Sequence, residues 1–363
     1  MTYDFIPPAK PLIGDEERAA VDRVLRSGMI AQGPEVAAFE TEFSEHFKLG
    51  RACVAVNSGT SGLHLGLLSC GIGAGDEVIV PSFTFAATAN SVALTGAKPI
   101  FADISEDDFT LDPASVEASI TERTKAIMPV HLYGHPAKMD QLRAIADKHG
   151  LMLFEDAAQA HGAALNGTPV GAFGEFAMFS LYPTKNMTSG EGGMVSAANA
   201  EIERNLRLYR NQGMLQQYHN EVVGLNNRMT DIHAAIGRVQ LTKVGAWTRT
   251  RQENAAFLSA NLEGVTPPPI ADGAVHVFHQ YTVRVAGDRD GLSRALKEEY
   301  NVGSGMFYPV PNHRLKPFMS DVELPETERA AKECLSLPVH PSLSQADLER
   351  IVLAVNALAK AGA

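Results

Sequence analysis

The sequence predicts an α/β protein in which a mostly parallel sheet is flanked by helices and followed by a smaller α/β domain. Short apolar runs alternate with helical stretches through the first 200 residues, as they do when crossover units build a parallel sheet. From about residue 231 this alternation gives way to long helical periodicity. We therefore expect a large domain at 1–240 and a small one at 241–363, a division that also suits a chain of 363 residues.

Two helices are expected to precede the sheet. Val21, Val24 and Leu25 recur at helical spacing, and Ser27-Gly28 ends this pattern. Pro34, a residue type favoured in the first helical turn, begins a second helix that runs to about residue 47.

Seven short apolar runs are predicted to be the strands of the sheet. They lie at 52–56, 77–81, 100–101, 126–130, 151–154, 176–181 and 193–196. Four helical stretches lie between them. Two of these end at residues 70 and 96, and the other two occupy 113–120 and 139–149. Because each helix returns the chain to the same end of the sheet, neighbouring strands are expected to be mostly parallel.

The second domain is predicted from six features. Helical periodicity covers 232–241 and 247–262, prolines interrupt the chain at 266–270, 275–285 alternates like a strand, 291–300 is helical, 306–308 is extended, and 348–361 is an amphipathic helix. These features are too few for a second large sheet, so we expect a small α/β unit.

Composition excludes several classes of protein. The net charge of −11 opposes binding to nucleic acid. Cys53, Cys70 and Cys334 form no CxxC pair, which favours a reducing compartment over a disulfide framework or a zinc site. We see no signal peptide and no apolar run that approaches 18 residues, so we expect a cytoplasmic protein without a membrane span or a metal site.

Three segments that follow predicted strands carry candidate chemistry. Residues 57–62 (NSGTSG) open a helix, where free N–H groups and hydroxyls bind anions or simply cap a turn. Asp156 lies just after the run at 151–154, where a carboxylate can bind a metal, act as a base, pair with a protonated ring nitrogen or cap a helix. Lys185 lies in a turn before a Gly-rich loop, either as a solvated lysine or as a nucleophile toward carbonyl groups.

Together the three segments predict a site for pyridoxal 5′-phosphate (PLP). Such a site needs an anion cradle, a carboxylate for the pyridinium nitrogen, a lysine for the aldehyde and a flat surface against the ring. The cradle is expected at 58–61 with Ser180, the carboxylate is Asp156, the lysine is Lys185, and Phe85 supplies the flat surface. Each of these residues follows a strand of the same predicted sheet.

Six segments closely resemble the DegT/DnrJ/EryC1/StrS family in order and spacing: NSGTSGLHL, PSFTFAATAN, MPVHLYGHPAKMD, EDAAQAHGA, FSLYPTKN followed by GEGG, and GLNNRMTDIHAAIG. The resemblance runs from about residue 8 to about residue 313. It implies fold-type I, with a seven-stranded, mostly parallel sheet. It also implies a PLP-dependent aminotransferase that moves an amino group from glutamate to a nucleotide-linked keto-sugar.

The resemblance also implies residue roles. Lys185 would hold the cofactor as a Schiff base, and Asp156 would pair with the ring nitrogen. The remaining cofactor contacts would be Gly59, Thr60, Ser61 and Ser180 around the phosphate, Phe85 on the ring face, Gln159 beside the ring hydroxyl, and Asn226 from a neighbouring subunit. The last contact implies an isologous homodimer.

Candidate substrate contacts are His161, Arg228, Tyr308 and His313. Packing is the alternative for Tyr308 and His313, since HRLKPF departs from the usual family pattern there, and a hydrogen-bonded position at the sheet end is favoured for His161. Relatives with histidine at the lysine position dehydrate sugars, so Lys185 favours transamination over a dehydratase or a non-catalytic binder. The sugar, its nucleotide and the C3 or C4 position stay open, as do polysaccharide and antibiotic pathways.

Overall fold

The computed structural model describes residues 4–360, apart from the side chain of Lys360. Its helices are α1 (Asp15–Ser27), α2 (Pro34–His46), α3 (Gly59–Ser69), α4 (Ala87–Leu94), α5 (Pro113–Ala118), α6 (Met139–His149), α7 (Ala200–Arg210), α8 (Asp231–Asn261), α9 (Arg289–Tyr300), α10 (Pro325–Glu333) and α11 (Gln345–Lys360). Its strands are β1 (Ala52–Val56), β2 (Glu77–Pro81), β3 (Lys98–Ala102), β4 (Thr124–Ile127), β5 (Met152–Asp156), β6 (Ala164–Leu165), β7 (Thr168–Pro169), β8 (Phe176–Ser180), β9 (Gly193–Ala197), β10 (Met214–Gln216), β11 (His219–Asn220), β12 (Ala274–Val275), β13 (Tyr281–Arg284) and β14 (Cys334–Leu337).

A seven-stranded sheet has the order β1-β9-β8-β5-β4-β2-β3. Strands β3, β2, β4, β5 and β8 pair in parallel, while β9 is antiparallel to both of its neighbours. The predicted fold class is therefore confirmed. Since β5 and β8 are adjacent and parallel, the residues that end them lie at the same edge of the sheet.

Side chains of the strand β8 alternate between two hydrophobic clusters. Along β8, Phe176 and Met178 join one cluster, and Ala177 and Phe179 join the other. Every residue of β8 is buried, as expected when helices cover both faces of a parallel sheet. The helix α3 packs closely on this strand, since a Cβ on Gly66 would lie 2.5 Å from the Phe176 ring.

A third cluster forms around the paired strands β13 and β14. Helices α9 and α11 and the C-terminal part of α8 surround these strands and contribute, for example, Leu292, Ile351 and Leu258. Ile6 also belongs to this cluster and pairs with Val302. The segment 307–334 contributes instead to a cluster at the edge of the large sheet, so the chain crosses between the two cores more than once.

The helical periodicity expected to continue from 232–241 through 247–262 is confirmed as one 31-residue helix, α8, whose first part packs on α1 and α2. Other elements differ from the sequence-based expectations. The stretch 275–285 is not one strand, because Phe278 adopts a φ of 43° and the chain turns between β12 and β13. The predictions omitted α7, α10 and β14, although amphipathic stretches and the apolar CLSL mark them.

None of the helices within residues 4–360 has both the length and the apolar character needed to cross a membrane.

Candidate functional site

A cavity of about 690 Å³ opens at the carboxyl ends of the central strands. Eight of the predicted site residues line it: Gly59, Thr60, Phe85, Asp156, Gln159, Ser180, Lys185 and Tyr308. Its opposite wall includes Arg251 on α8 and His279 and Gln280, which directly precede β13. The cavity therefore lies between the large sheet and the smaller unit, as ligand sites of α/β enzymes often do.

The first turn of α3 forms the predicted anion cradle. Ser58 caps the helix: its Oγ accepts a hydrogen bond from the N–H of Ser61 at 3.1 Å and lies 2.9 Å from the Ser61 hydroxyl. Gly59 allows α3 to approach β8, because an added Cβ would lie 3.2 Å from the Cβ of Ser180. The N–H groups of Gly59 and Thr60 have no acceptor among the described residues, so they are available to an anion.

Asp156 is buried at the carboxyl end of β5. Its Oδ2 accepts a hydrogen bond from Thr88 Oγ1 at 2.7 Å, and its Oδ1 accepts one from the N–H of Ala158 at 3.1 Å. Burial raises the pKa of Asp156, against the opposing effects of these hydrogen bonds and of Lys185. The carboxylate is thus held in one orientation but is short of cationic partners.

Lys185 lies in the turn after β8 and is only partly exposed. Its N–H donates to the carbonyl of Tyr182 at 2.9 Å, which closes the turn. Burial lowers the pKa of Lys185 to about 8, and the charge of Asp156 opposes this effect. A substantial fraction of the amine is therefore neutral near physiological pH, as a nucleophile requires.

The turn of Lys185 is attached to the opposite wall through Asn186. The Asn186 Nδ2 donates to the carbonyl of Val277 at 3.0 Å, and its Oδ1 lies 3.2 Å from His279 Nδ1. Because the Asn186 oxygen can only accept, the His279 Nδ1 carries the proton and the Nε2 is free to accept. The lysine turn and the loop that precedes β13 are therefore held together.

Gln159 connects the sheet edge to the segment around Tyr308. Its Oε1 accepts from the N–H of Tyr133 at 2.7 Å, and its Nε2 donates to the Tyr308 hydroxyl at 3.0 Å. Burial raises the pKa of Tyr308 above its ordinary value, so this hydroxyl stays protonated. The Phe85 ring lies 6.3 Å from the Tyr308 ring and is 61% exposed, which leaves one face open to a ligand.

A buried network supports the end of β5 from behind. Glu155 accepts hydrogen bonds from the N–H groups of Gly171 and Gly174, and its Oε2 lies 3.2 Å from His131 Nε2. Burial opposes ionisation, yet the His131 and backbone hydrogen bonds lower the pKa of Glu155 overall. The N–H of Ala137 donates to His131 Nδ1, so the proton of the ring lies on Nε2.

Five predicted residues do not line the cavity: Ser61, His161, Asn226, Arg228 and His313. Ser61 lies just behind the cradle, where its hydroxyl meets that of Ser58. Asn226 is exposed and forms a backbone bridge with Asn211, whose side chain accepts a hydrogen bond from Arg228 at 2.5 Å. Within one chain neither residue reaches the cavity.

The two histidines named as substrate candidates are buried. His161 packs against Phe43 and Phe179, and neither ring nitrogen makes a well-formed hydrogen bond, so the hydrogen-bonded position expected for it is not observed. Burial, with a smaller effect of Lys185, lowers the pKa of His161 to about 3. His313 lies between Ser82 and Glu328, at 2.6 and 3.1 Å, which is the packing role. The geometry supports no substrate contact by either residue.

Sequence reasoning missed several residues of the cavity. Thr88 lies in the recognised segment PSFTFAATAN, but only the structure shows that its hydroxyl faces Asp156. Arg251 lies on α8, and His279 and Gln280 directly precede β13, and no motif marks these three residues. Within residues 4–360 no group of three or more His, Cys, Asp or Glu side chains is arranged to hold a metal ion.

Comparisons with known proteins agree with this geometry. The model of the DegT/DnrJ/EryC1/StrS aminotransferase family matches residues 11–356. A dTDP-3-amino-3,4,6-trideoxy-α-D-glucose transaminase from Streptomyces venezuelae is 43% identical over 94% of this chain and 91% of that protein. A UDP-N-acetyl-3-dehydro-α-D-glucosamine 3-aminotransferase from Acidithiobacillus ferrooxidans is 40% identical over 94% and 93%.

Among solved structures, that of DesV from S. venezuelae in complex with a ketimine intermediate superposes with a TM-score of 0.93. The two sequences are 40% identical, and the superposition covers 98% of this chain and 99% of the DesV chain. The similarity therefore extends across both parts of the fold.

Proposed function

The chain belongs to the DegT/DnrJ/EryC1/StrS aminotransferase family, and from this premise we propose that it moves an amino group from glutamate to a nucleotide-linked keto-sugar. The observation that supports the proposal most strongly is the meeting of Lys185, Asp156 and the open first turn of α3 around one cavity. Relatives that share about 40% of the sequence carry the names of amino-sugar transaminases, with dTDP- and UDP-linked substrates. The resemblance of the motifs predicted this family membership, and the family match confirms it.

The residues of the cavity fit PLP. The cradle leaves two N–H groups without acceptors, and glycine at position 59 keeps the space beside Ser180 free of a side chain. The residues that would hold the group are Gly59, Thr60 and Ser180 at the phosphate, Asp156 at the ring nitrogen, Gln159 at the ring hydroxyl, Phe85 on the ring face and Lys185 at the aldehyde. When bound, PLP supplies an electron-accepting ring that stabilises negative charge beside the reacting amine.

Lys185 and Asp156 then have distinct tasks. The Lys185 amine, with its pKa lowered to about 8, takes a proton from the Cα of the amino donor and returns it to the product. Asp156, oriented by Thr88 and by the N–H of Ala158, holds a proton at the ring nitrogen. A buried carboxylate that is short of cationic partners suits this task, because a protonated ring nitrogen offsets the cost of its burial.

The wall formed by Gln159 and Tyr308 orients the substrates. Gln159 uses both ends of its amide, so its position is fixed between Tyr133 and Tyr308. We place the sugar beside Tyr308 and Phe85, at the exposed side of the cavity.

We further propose an isologous homodimer in which Asn226 completes the partner's cavity. Asn226 is exposed and lies outside its own cavity, and the nearby Leu225, Val223 and Tyr218 are large apolar side chains exposed by 38%, 94% and 84%. Such a surface is costly in water unless another chain covers it. The three free cysteines suit a reducing compartment, so we place the reaction in the cytoplasm.

Mixed dimers test the shared site. If Lys185 and Asn226 act across the interface, Lys185→Ala and Asn226→Ala chains are each impaired, but the mixed dimer contains one intact site. Unfolding and refolding the two variants together should restore about a quarter of the wild-type activity, because half of the dimers are mixed. No recovery would exclude sharing through Asn226.

An absorbance titration followed by product analysis tests the function itself. The PLP-loaded enzyme should show a cofactor band that glutamate bleaches, and a panel of keto-sugar nucleotides should then restore it while amino-sugar nucleotides appear by mass spectrometry. A band that no amino donor changes would favour a non-catalytic binder. A deoxygenated sugar without new nitrogen would favour a dehydratase.

A further inference from the structure

One guanidinium group of the cavity has no carboxylate partner within residues 4–360. Arg251 lies on α8, is 6% exposed and lines the cavity. Its Nη1 donates to the carbonyl oxygens of Phe278 at 3.2 Å and His279 at 3.4 Å. Its Nε is buried without a hydrogen-bond acceptor, and its Nη2 has none among the described residues.

A buried cation in this state is unusual. A guanidinium has five N–H donors in a planar fork, and two neutral carbonyls satisfy only part of it. Burial alone lowers the pKa of Arg251 to about 10, with no carboxylate to offset it, yet the group remains charged at neutral pH. By contrast the buried Arg210 pairs with Glu40 at 2.6 Å. A charge desolvated without a counter-ion is stabilised when an anion binds.

The cavity wall around Arg251 is otherwise suited to an anion. Burial, together with the nearby charges of Lys185 and Arg251, holds the pKa of His279 well below its usual range. The charges of Lys185 and Arg251 therefore both favour a neutral His279. The Gln280 Oε1 is buried without a partner, and an amide that rotates can present its NH₂ group instead.

We propose that Arg251 binds a carboxylate group of the amino donor. The inference rests on the proposed function, which brings the amine of an amino acid to Lys185 in this cavity. The donor carboxylate is covalently tied to that amine, so it must lie within the same space. A guanidinium fork matches a carboxylate with two parallel hydrogen bonds.

The diphosphate of the sugar nucleotide is the competing anion. It carries a large polar nucleoside and needs an open route to solvent. Arg251 is almost fully buried, whereas the exposed side of the cavity lies at Phe85. We therefore assign the small carboxylate, not the diphosphate, to Arg251.

The chain offers a matched control for the structural role of Arg251. Gln252, the next residue of α8, donates its Nε2 to the carbonyl of His276 at 3.0 Å and so holds the same loop. It does not line the cavity. A variant that only loosens the loop should therefore behave like Gln252→Met, while a variant that loses a substrate contact should not.

Kinetics of the separate half-reactions of the PLP-loaded enzyme test the proposal. Arg251→Gln should raise the half-saturating glutamate concentration about 10- to 100-fold, the range for a lost charge-assisted hydrogen bond. The half-saturating sugar-nucleotide concentration and the maximal rate of that half-reaction should stay near wild type. Gln252→Met should shift the glutamate value by less than about threefold. Should Arg251→Gln not fold, Arg251→Lys keeps the charge but not the fork and should raise the glutamate value about 3- to 10-fold.

Binding measured by calorimetry separates this proposal from the proposed function. Wild type should bind 2-oxoglutarate, and Arg251→Gln should bind it at least about 10-fold more weakly. Pyruvate has only the carboxylate beside the keto group, so it identifies which carboxylate Arg251 binds. If Arg251→Gln weakens pyruvate binding as much as 2-oxoglutarate binding, Arg251 binds that carboxylate. If pyruvate binding is unchanged, Arg251 binds the distal carboxylate. Unchanged 2-oxoglutarate binding, or a raised sugar-nucleotide constant instead, overturns the proposal. If no amino donor reacts with wild type while 2-oxoglutarate binding still depends on Arg251, the proposed function fails and the carboxylate site stands.

Discussion

Among the described residues, Thr88 is the only side chain that donates a hydrogen bond to Asp156. Replacing Thr88 with valine removes the hydroxyl that donates it. Thr88 is fully buried, and its Oγ1 lies 2.7 Å from Asp156 Oδ2. Valine has the same shape, so the packing of α4 should be kept. The carboxylate then retains one hydrogen bond, from the N–H of Ala158.

The magnitude follows from the charge of the acceptor. A hydrogen bond to an ionised group contributes about 1.5–3 kcal/mol, and one between neutral groups about 0.5–1.5 kcal/mol. The part of the Thr88 contribution that depends on ionisation is therefore about 1–2 kcal/mol. Losing this contribution therefore raises the pKa of Asp156 further above its ordinary value.

The sign of the pH dependence follows from the direction of the shift. Burial raises the pKa of Asp156 above its unfolded value, so folding is favoured below the unfolded pKa and this advantage disappears as the pH rises through the folded pKa. Without the Thr88 hydroxyl the folded pKa is higher still. The free energy of unfolding of the variant should therefore fall further below wild type as the pH rises from about 4 to about 8.

Urea titrations of the cofactor-free protein at about pH 4.5 and pH 8 measure this difference. Thr282→Val is the control, because the Thr282 hydroxyl bonds the neutral Ser336 hydroxyl at 2.7 Å in a buried site. That variant should lose about 1 kcal/mol at both pH values. An equal loss for Thr88→Val at the two pH values would refute a charge-assisted bond to Asp156.

The other predictions concern the lysine, the carboxylate and the packing of α3. In wild type, borohydride reduction should fix PLP covalently to the chain, which mass spectrometry detects as added mass. In Lys185→Ala this added mass should be absent. Asp156→Asn should leave the fold intact and lower turnover at least ~100-fold. Because the Asp156 charge raises the pKa of Lys185, the same variant should bring that pKa below about 8, measured from the pH dependence of Lys185 modification in cofactor-free protein. Gly66→Ala should lower the free energy of unfolding by ~1–3 kcal/mol, because the new Cβ would lie 2.5 Å from the Phe176 ring.

Each of these predictions has a clear counter-result. A reducible adduct that persists in Lys185→Ala would place the cofactor on another amine. Near-normal turnover of Asp156→Asn would mean that the ring nitrogen has another partner. For the packing prediction, Gly73→Ala is the control, since the nearest atom to its added Cβ is 4.0 Å away. If both glycine variants are equally stable, the close approach of α3 to β8 is not required.

Local patterns were sufficient for most of the larger unit. The apolar runs at 52–56 and 77–81 coincide with β1 and β2, and the helix predicted at 139–149 coincides with α6. Strand ends share an edge in a parallel sheet, so Asp156, Ser180 and Lys185 could be assigned to one cavity before any coordinates were known. The division of the chain at residue 240 stays a prediction.

The two histidines show where such reasoning stops. His161 follows the same strand as Asp156, but its ring packs against the buried rings of Phe43 and Phe179 and not into the cavity. His313 lies in a segment that resembles substrate-binding residues, yet its ring is held by Ser82 and Glu328. Distance along the chain from a site residue does not determine on which side of the backbone a side chain points.

The family motifs predicted the roles of Lys185 and Asp156, and the sequence by itself determined the alternation of strands and helices and the edge of the sheet that carries chemistry. Those properties follow from periodicities of two to four residues and from the direction of parallel strands. Only the tertiary structure decided that Thr88 orients Asp156 and that Arg251 and Tyr308 complete the cavity. The reason is physical: these contacts join residues far apart in the chain, and they arise when separate hydrophobic cores pack together, which no local pattern encodes.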